Sequence, residues 1–291
     1  MKLHTHSWLG IGFFTLLFFG SFMIGEGRYL MFNLTGLLVV VAGTLGAAFM
    51  SYPMMELSTA VKVVVNSYRT PPPTKKEIVD ALLDLSLKSR VDGLLALEEE
   101  EERVSVLFLR RALTMLVDGF RIEELRDALY TEIYFFQQRR SQHERVFRHL
   151  AMLAPAFGVA GSVIGLIGML AGIGNTGVIL QTIPIALTST LYGIVLAYFL
   201  LIPLAENIRA KTQEELLVLK LITEGVTLIA QEYNTIRLQT RLESFLAPQV
   251  RNTHHKSFME IHNRYEEIRK ERVAGAESVN KVPKPVQQAA V

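Results

Sequence analysis

Three hydroxyls, Ser162, Ser189 and Thr190, stand inside a run of about 56 residues between His149 and Glu206 that holds no Lys, Arg, Asp or Glu. Oxygens of this kind coordinate hard cations such as sodium, and together they could line a wet path in which ligands replace part of an ion's water shell. Taken singly, each would more simply bond the carbonyl four residues back in its own helix. The run lacks any carboxylate or basic side chain. A device that carries ions through lipid keeps an ionisable side chain at mid-membrane, because a charge there costs several kcal/mol and persists only for a purpose. If these hydroxyls serve conduction, a partner must bring the carboxylate.

The elements that position them follow from length. A single helix over this run would reach about 84 Å, against a hydrocarbon layer about 30 Å thick, so the run crosses twice. It forms a hairpin of spans 150–173 and 178–204, with Gly174-Asn175-Thr176-Gly177 near its turn. Arg145 and Arg148 precede it and Arg209 and Lys211 follow it, so the positive-inside rule places both ends in the cytoplasm. A first hairpin comes from Trp8 to Ile24 and Leu30 to Met50, spans 8–25 and 30–50, joined by Glu26-Gly27-Arg28. The first run is too long for a signal-peptide core and no small-x-small cleavage site follows it. The expected fold is all-α: a polytopic membrane protein with four transmembrane helices, a helical cytoplasmic insert and both termini inside.

The insert, 51–149, carries 15 Lys/Arg against 16 Asp/Glu and no period-2 apolar pattern. After Pro71-Pro72-Pro73, Thr74-Lys75-Lys76-Glu77 reads as a capping box opening a helix that Gly93 ends. Leu94 to Leu116 reads as helix in one or two pieces, Asp118-Gly119 as a turn, and Ile122 to His149 as one helix entering the third span. Residues 206–272 form a C-terminal cytoplasmic region in which Glu206 to Leu246 is one amphipathic helix. Residues 273–291 lack a helical apolar face and read as a disordered tail.

In the third span, Ala151, Ala154, Gly158, Gly161, Gly165, Gly168 and Gly172 form a stripe whose spacing alternates three and four. Each step keeps one helix face and lets a neighbouring backbone come close. That neighbour is either another span of the same chain or a helix of another subunit. Thr182, Ala186, Ser189 with Thr190, Gly193 and Ala197 form a small face on the fourth span.

Composition excludes several classes. There is no Cys, so disulfides and thiolate chemistry are absent; the net charge of +2 is too small to suggest nucleic-acid binding. His4, His6, His254, His255 and His262 lie near the termini and read as solvated rather than metal-binding. No P-loop, GxGxxG, metal-spaced His or nucleophile elbow occurs, so an enzyme, a metal or a bound cofactor is not expected. Glu98 to Glu102 is an acidic run which, unless it meets another macromolecule, is a solvated face.

The segment from Ala154-Pro155-Ala156-Phe157-Gly158 through Gly161-Ser162 to Gly165-Leu166-Ile167 resembles the third-span motif of the flagellar stator A-subunits, MotA and PomA. Ala186-Leu187-Thr188-Ser189-Thr190-Leu191-Tyr192-Gly193 followed by Pro203 resembles their fourth span, and Gly43-Thr44-Leu45-Gly46-Ala47 their second. Arg90 through Glu98 resembles their cytoplasmic Arg-x-x-Gly-Leu-Leu-x-Leu-Glu signature. The resemblance covers Trp8 to about Lys211. It implies an ion pathway at Ser162, Ser189, Thr190 and Tyr192, with Pro155 and Pro203 shaping the conducting helices. It also implies packing or B-subunit contact at Gly158, Gly161, Gly165, Gly168 and Gly172, and rotor contact at Arg90, Glu98 and Glu99. It further implies a bacterial inner-membrane homo-oligomer, a ring of five A-subunits around two helices of a single-span, peptidoglycan-binding B-subunit that supplies an Asp. The cargo would be sodium or protons, with three hydroxyls leaning toward sodium, and the target a flagellar rotor switch protein. The chain departs from the family in having Ser at 162 and 189, no acidic stretch near Gly174, and an extra basic tail. An energiser of the TolQ/ExbB kind, which lacks the first hairpin, and a membrane scaffold without ion flux are the alternative readings.

Overall fold

The computed structural model describes residues 2–24, 31–69, 73–232, 234–246, 248, 260 and 263–270, except the side chains of 2–9, 11, 102 and 103. Every regular element among them is helical. The turn Glu26-Gly27-Arg28, Pro71-Pro72 and the tail 273–291 lie outside the described residues. The chain divides into two compact units, Met1–Arg69 with Arg140–Arg209, and Thr70–Arg139 with Ala210–Val291.

The first unit contains α1 (Lys2–Met23), α2 (Leu34–Ser51), α3 (Met54–Arg69), the C-terminal part of α7 (Ile122–Ala171), α8 (Thr176–Val195) and the start of α9 (Ile202–Ala230). Among the described residues, Leu34–Ser51, Ile122–Ala171 and Thr176–Ala230 are long and apolar enough to cross a membrane, and Gly12–Met23 is a shorter apolar helix. Asn33 starts α2 by accepting the Gly36 N–H at 2.9 Å, and Asn175 starts α8 by accepting the Gly177 N–H at 3.0 Å. An Asn at this position satisfies one of the first-turn N–H groups that have no partner within the helix. From α1, Phe18 stacks on Phe199 at 5.2 Å and Phe19 meets the same ring edge-on at 5.3 Å. Helix α3 was not anticipated within the insert. It buries Ala60 and Val64 with Ala48 of α2, Val146, Phe147 and Leu150 of α7, and Ile208 of α9.

The second unit contains α4 (Lys75–Asp92), α5 (Glu98–Arg103), α6 (Leu107–Val117), the N-terminal part of α7, most of α9 and α10 (Thr235–Glu243). The capping box of α4 is formed: Thr74 Oγ1 accepts from the Glu77 N–H, and Glu77 Oε2 accepts from the Thr74 N–H, both at 3.3 Å. Gly93 ends α4 with φ +83°, where a side chain would be strained. Leu82, Leu109, Leu113, Leu125, Leu221, Ile222, Leu238 and Leu242 interlock in one fully buried core.

Two helical expectations need correction. Leu94 to Leu116 breaks into a 3-10 turn (Leu94–Leu97), α5 and α6, because Val104-Ser105-Val106 leaves the helix and Val104 instead hands its carbonyl to Arg110 Nη2 at 2.9 Å. The amphipathic helix after Pro203 does not run through to Leu246. It stops at Ala230, Glu232 takes φ +54°, and Asn234 caps α10 by accepting the Ile236 N–H at 2.9 Å. A non-glycine residue in this conformation costs about 1–2 kcal/mol, so its surroundings must hold it.

Candidate functional site

The third and fourth spans touch backbone to backbone. A Cβ placed on Gly165 would lie 2.6 Å from the Ala186 nitrogen, on Gly158 2.9 Å from the Ser189 carbonyl oxygen, and on Gly193 2.6 Å from the Ala154 carbonyl oxygen. Gly161 meets the Ser189 side chain, Gly168 meets Thr182 and Gly172 meets Val178. Helix α8 therefore occupies the whole glycine face. Of the two readings left open for these five glycines, the contacts within this chain are with its own α8. Four of these glycines lie inside α7 and weaken it by roughly 1 kcal/mol each relative to alanine, Gly172 following its last residue, and this close approach is the compensation. Helix α2 joins from the other side. Gly36 and Gly43, two turns apart, face Ser189 and Phe157.

This crossing sorts the hydroxyls. Ser162 Oγ lies 2.5 Å from Thr190 Oγ1, donates to the Ala186 carbonyl, and sits 3.2 Å from the Gly158 carbonyl. Four oxygens from two spans thus converge at one half-buried point. Ser189 does not join them. It is fully buried and returns its proton to the Ile185 carbonyl at 2.6 Å, wedged between Gly161 and Gly36. Tyr192 is engaged elsewhere as well: its hydroxyl donates to the Met31 carbonyl and accepts from the Asn33 N–H at 2.8 Å, tying α8 to the start of α2.

The prolines bracket this crossing. Pro155 lies within α7, where its Cα is 3.0 Å from a Cβ built on Gly193, and Pro203 opens α9. A proline cannot donate to the carbonyl four residues back and its ring crowds that carbonyl. The turn before Pro203, Leu196–Leu201, is accordingly π-helical, a local widening that absorbs the misfit and shifts the phase of α9. Sequence reasoning overlooked Pro184 inside α8, although its type alone signals an interrupted ladder. Thr188 Oγ1 donates to the Pro184 carbonyl at 2.7 Å.

Where α2 ends and the third span begins, Tyr52 and His149 meet through Tyr52 Oη and His149 Nδ1 at 3.0 Å. His143 has a buried Nδ1 with no hydrogen-bond partner among the described residues. Burial, and secondarily Arg140, hold its imidazole below the usual range, with Glu56 on α3 opposing. Arg148 bridges Glu144 at 2.7 Å and Glu206 at 2.6 Å. Sequence reading named neither Tyr52–His149 nor Arg148–Glu206, because they join residues 97 and 58 positions apart.

In the second unit, Arg90 is exposed on the last turn of α4 and donates from Nη2 to the Glu232 carbonyl at 3.1 Å, pinning the left-handed turn between α9 and α10. Glu98 and Glu99 are exposed at the start of α5. The acidic run divides here: Glu100 pairs with Lys88 and Glu101 accepts from Thr114 Oγ1 at 2.7 Å. No cluster of three metal-ligating side chains exists among the described residues.

Residues 100–220 match the family model described as the MotA/TolQ/ExbB proton channel family. Motility protein A of Treponema phagedenis is 33% identical over 238 residues, covering 79% of this chain and 92% of that protein. Chemotaxis protein PomA of Vibrio alginolyticus is 27% identical, covering 78% of this chain and 88% of that protein. Among solved structures, the C. jejuni MotAB structure superposes with a TM-score of 0.79 at 25% identity over 89% of this chain and all of that one. The extent of these matches, running through the glycine crossing and the helical unit alike, places the chain in the MotA/PomA family.

Proposed function

We propose that this chain is the ion-conducting A-subunit of a flagellar stator. The observation that carries the reading is the crossing of α7 and α8: it gathers Ser162, Thr190 and two backbone carbonyls at one point in a hairpin that owns no carboxylate or basic side chain. Such a point solvates a passing cation without binding it tightly, so the site that captures and releases charge is an Asp supplied by a B-subunit helix. Five copies surround two such helices in the inner membrane, with α1 as the fourth span and both termini in the cytoplasm. The exposed Arg90, Glu98 and Glu99 face the rotor switch protein. One elementary charge moved through 100 mV yields about 2.3 kcal/mol, so many ions pass for each useful step. Sodium is the favoured cargo, because four converging oxygens suit a hard cation whereas a proton needs only a water chain.

The test is motility. Deleting the gene leaves assembled flagella paralysed, and Ser162→Ala with Thr190→Ala lowers swimming speed and shifts its dependence on external sodium at fixed pH. Normal rotation without the chain, and without a second stator set, removes the stator reading. A speed independent of sodium assigns the cargo to protons.

A further inference from the structure

Helical residues 263–270 lie in the second unit against the outer face of α4. Ile268 is 3% exposed and is buried with Leu87, while Tyr265 and Val91 complete the cluster. Tyr265 and Ile268 are one turn apart on one face, as Leu87 and Val91 are on the other. Arg264 reaches Asp84 at 3.9 Å. Beside this contact is a cavity of about 470 Å³ whose wall includes Tyr265, Arg90, Ser89, Gly93 and Glu232. The segment thus packs on the helix that presents Arg90 and borders the ground on which Arg90 sits.

An eight-residue helix does not hold itself in water, so this one exists only while docked. Among the described residues its hold on α4 includes two apolar side chains, Tyr265 and Ile268, and an exposed ion pair, which contributes little. A local contact of this size opens readily, and a macromolecule that binds the uncovered face draws the equilibrium toward the open state. We infer that residues 263–270 form an intramolecular strap that covers Leu87 and Val91 on α4, beside the exposed Arg90, and must lift before a rotor partner engages the whole of that end of the helix. This rests on the reading of Arg90 to Glu99 as the rotor-facing surface.

The chain has no Cys, so introduced cysteines report cleanly. In the full chain, co-expressed with its B-subunit, Ser89→Cys is labelled with a maleimide with and without Ile268→Asp, and stator units at rotating motors are counted by fluorescence. Release of the strap raises labelling several-fold and raises the number of units recruited. A second variant, Leu87→Cys with Ile268→Cys, locks the strap on oxidation: recruitment falls several-fold and returns with reductant. Labelling that Ile268→Asp leaves unchanged overturns the strap. Faster labelling with unchanged recruitment in both variants overturns its control of the rotor surface. A wild-type chain that is dispensable for rotation defeats the stator reading instead, and the labelling still decides whether the strap opens.

Discussion

The α7–α8 crossing and the core of the second unit are both all-helical and both tightly packed, yet they are held by opposite means. In the crossing, glycines remove side chains so that backbone meets backbone: Gly165 faces the Ala186 nitrogen and Gly193 faces the Ala154 carbonyl. In the second unit, Leu82, Leu113, Leu221 and Leu242 fill the space between helices with side chains. The difference comes from the solvent. In water, burying apolar side chains drives association, whereas in lipid a leucine gains nothing by leaving the tails, so close approach and interhelical hydrogen bonds take over. Ser162 and Thr190 are therefore adhesive: their hydrogen bond joins α7 to α8 where the backbones meet.

The comparison is broken most sharply at Gly165. Gly165→Val places atoms where the Ala186 backbone already is, and backbone cannot move aside as a flexible side chain can. The expected result is loss of the folded, assembled protein from the membrane, while Gly46→Ala, with no heavy atom within 4 Å of the new methyl, leaves it intact or slightly stabilised. Membrane protein levels and thermal melting of the purified complex read this difference. Equal effects at both glycines contradict close backbone packing.

The leucine core answers differently. Leu113→Ala leaves a cavity that the neighbours fill only in part and is expected to cost about 2–5 kcal/mol. The result is a lower melting temperature with the crossing still formed. A loss under about 1 kcal/mol would mean that the core is looser than its burial implies.

The smallest effect concerns His143, on α7 just before the third span. Its folded-state pKa lies below the unfolded value, so folding favours the neutral ring. The stability this contributes is fully present above the unfolded pKa of about 6.5 and is lost as pH falls from there toward the folded value. Glu56 and Arg140 are the charged groups acting on it. Melting followed from about pH 8 to about pH 5 is expected to drop less in His143→Gln than in the wild type. Parallel curves sink the assignment.

Much of this was legible in the residues. The absence of charge from 150 to 205, the capping box at Thr74 and the stop at Gly93 are local properties, and each appears where expected. The breaks at Val104 and Glu232 were not legible. Nothing in an apolar period distinguishes a helix that continues from one that must turn to bury Leu238 and Leu242, and the Asn234 cap was the available signal that went unread.

Sequence by itself determined how many apolar runs there are, where they begin, and that the second hairpin carries no titratable carboxylate or basic group, because length and hydropathy add along the chain regardless of what it meets. It also determined that a stripe of glycines would bring some backbone close. Only the tertiary structure decided whose backbone, and which hydroxyls share a point. Ser189 and Thr190 are neighbours in the chain but about 100° apart around the helix. One faces Gly161 and Gly36 and the other faces Ser162, and that choice depends on the rotational phase set by the contacts with α2 and α7, which no local pattern records.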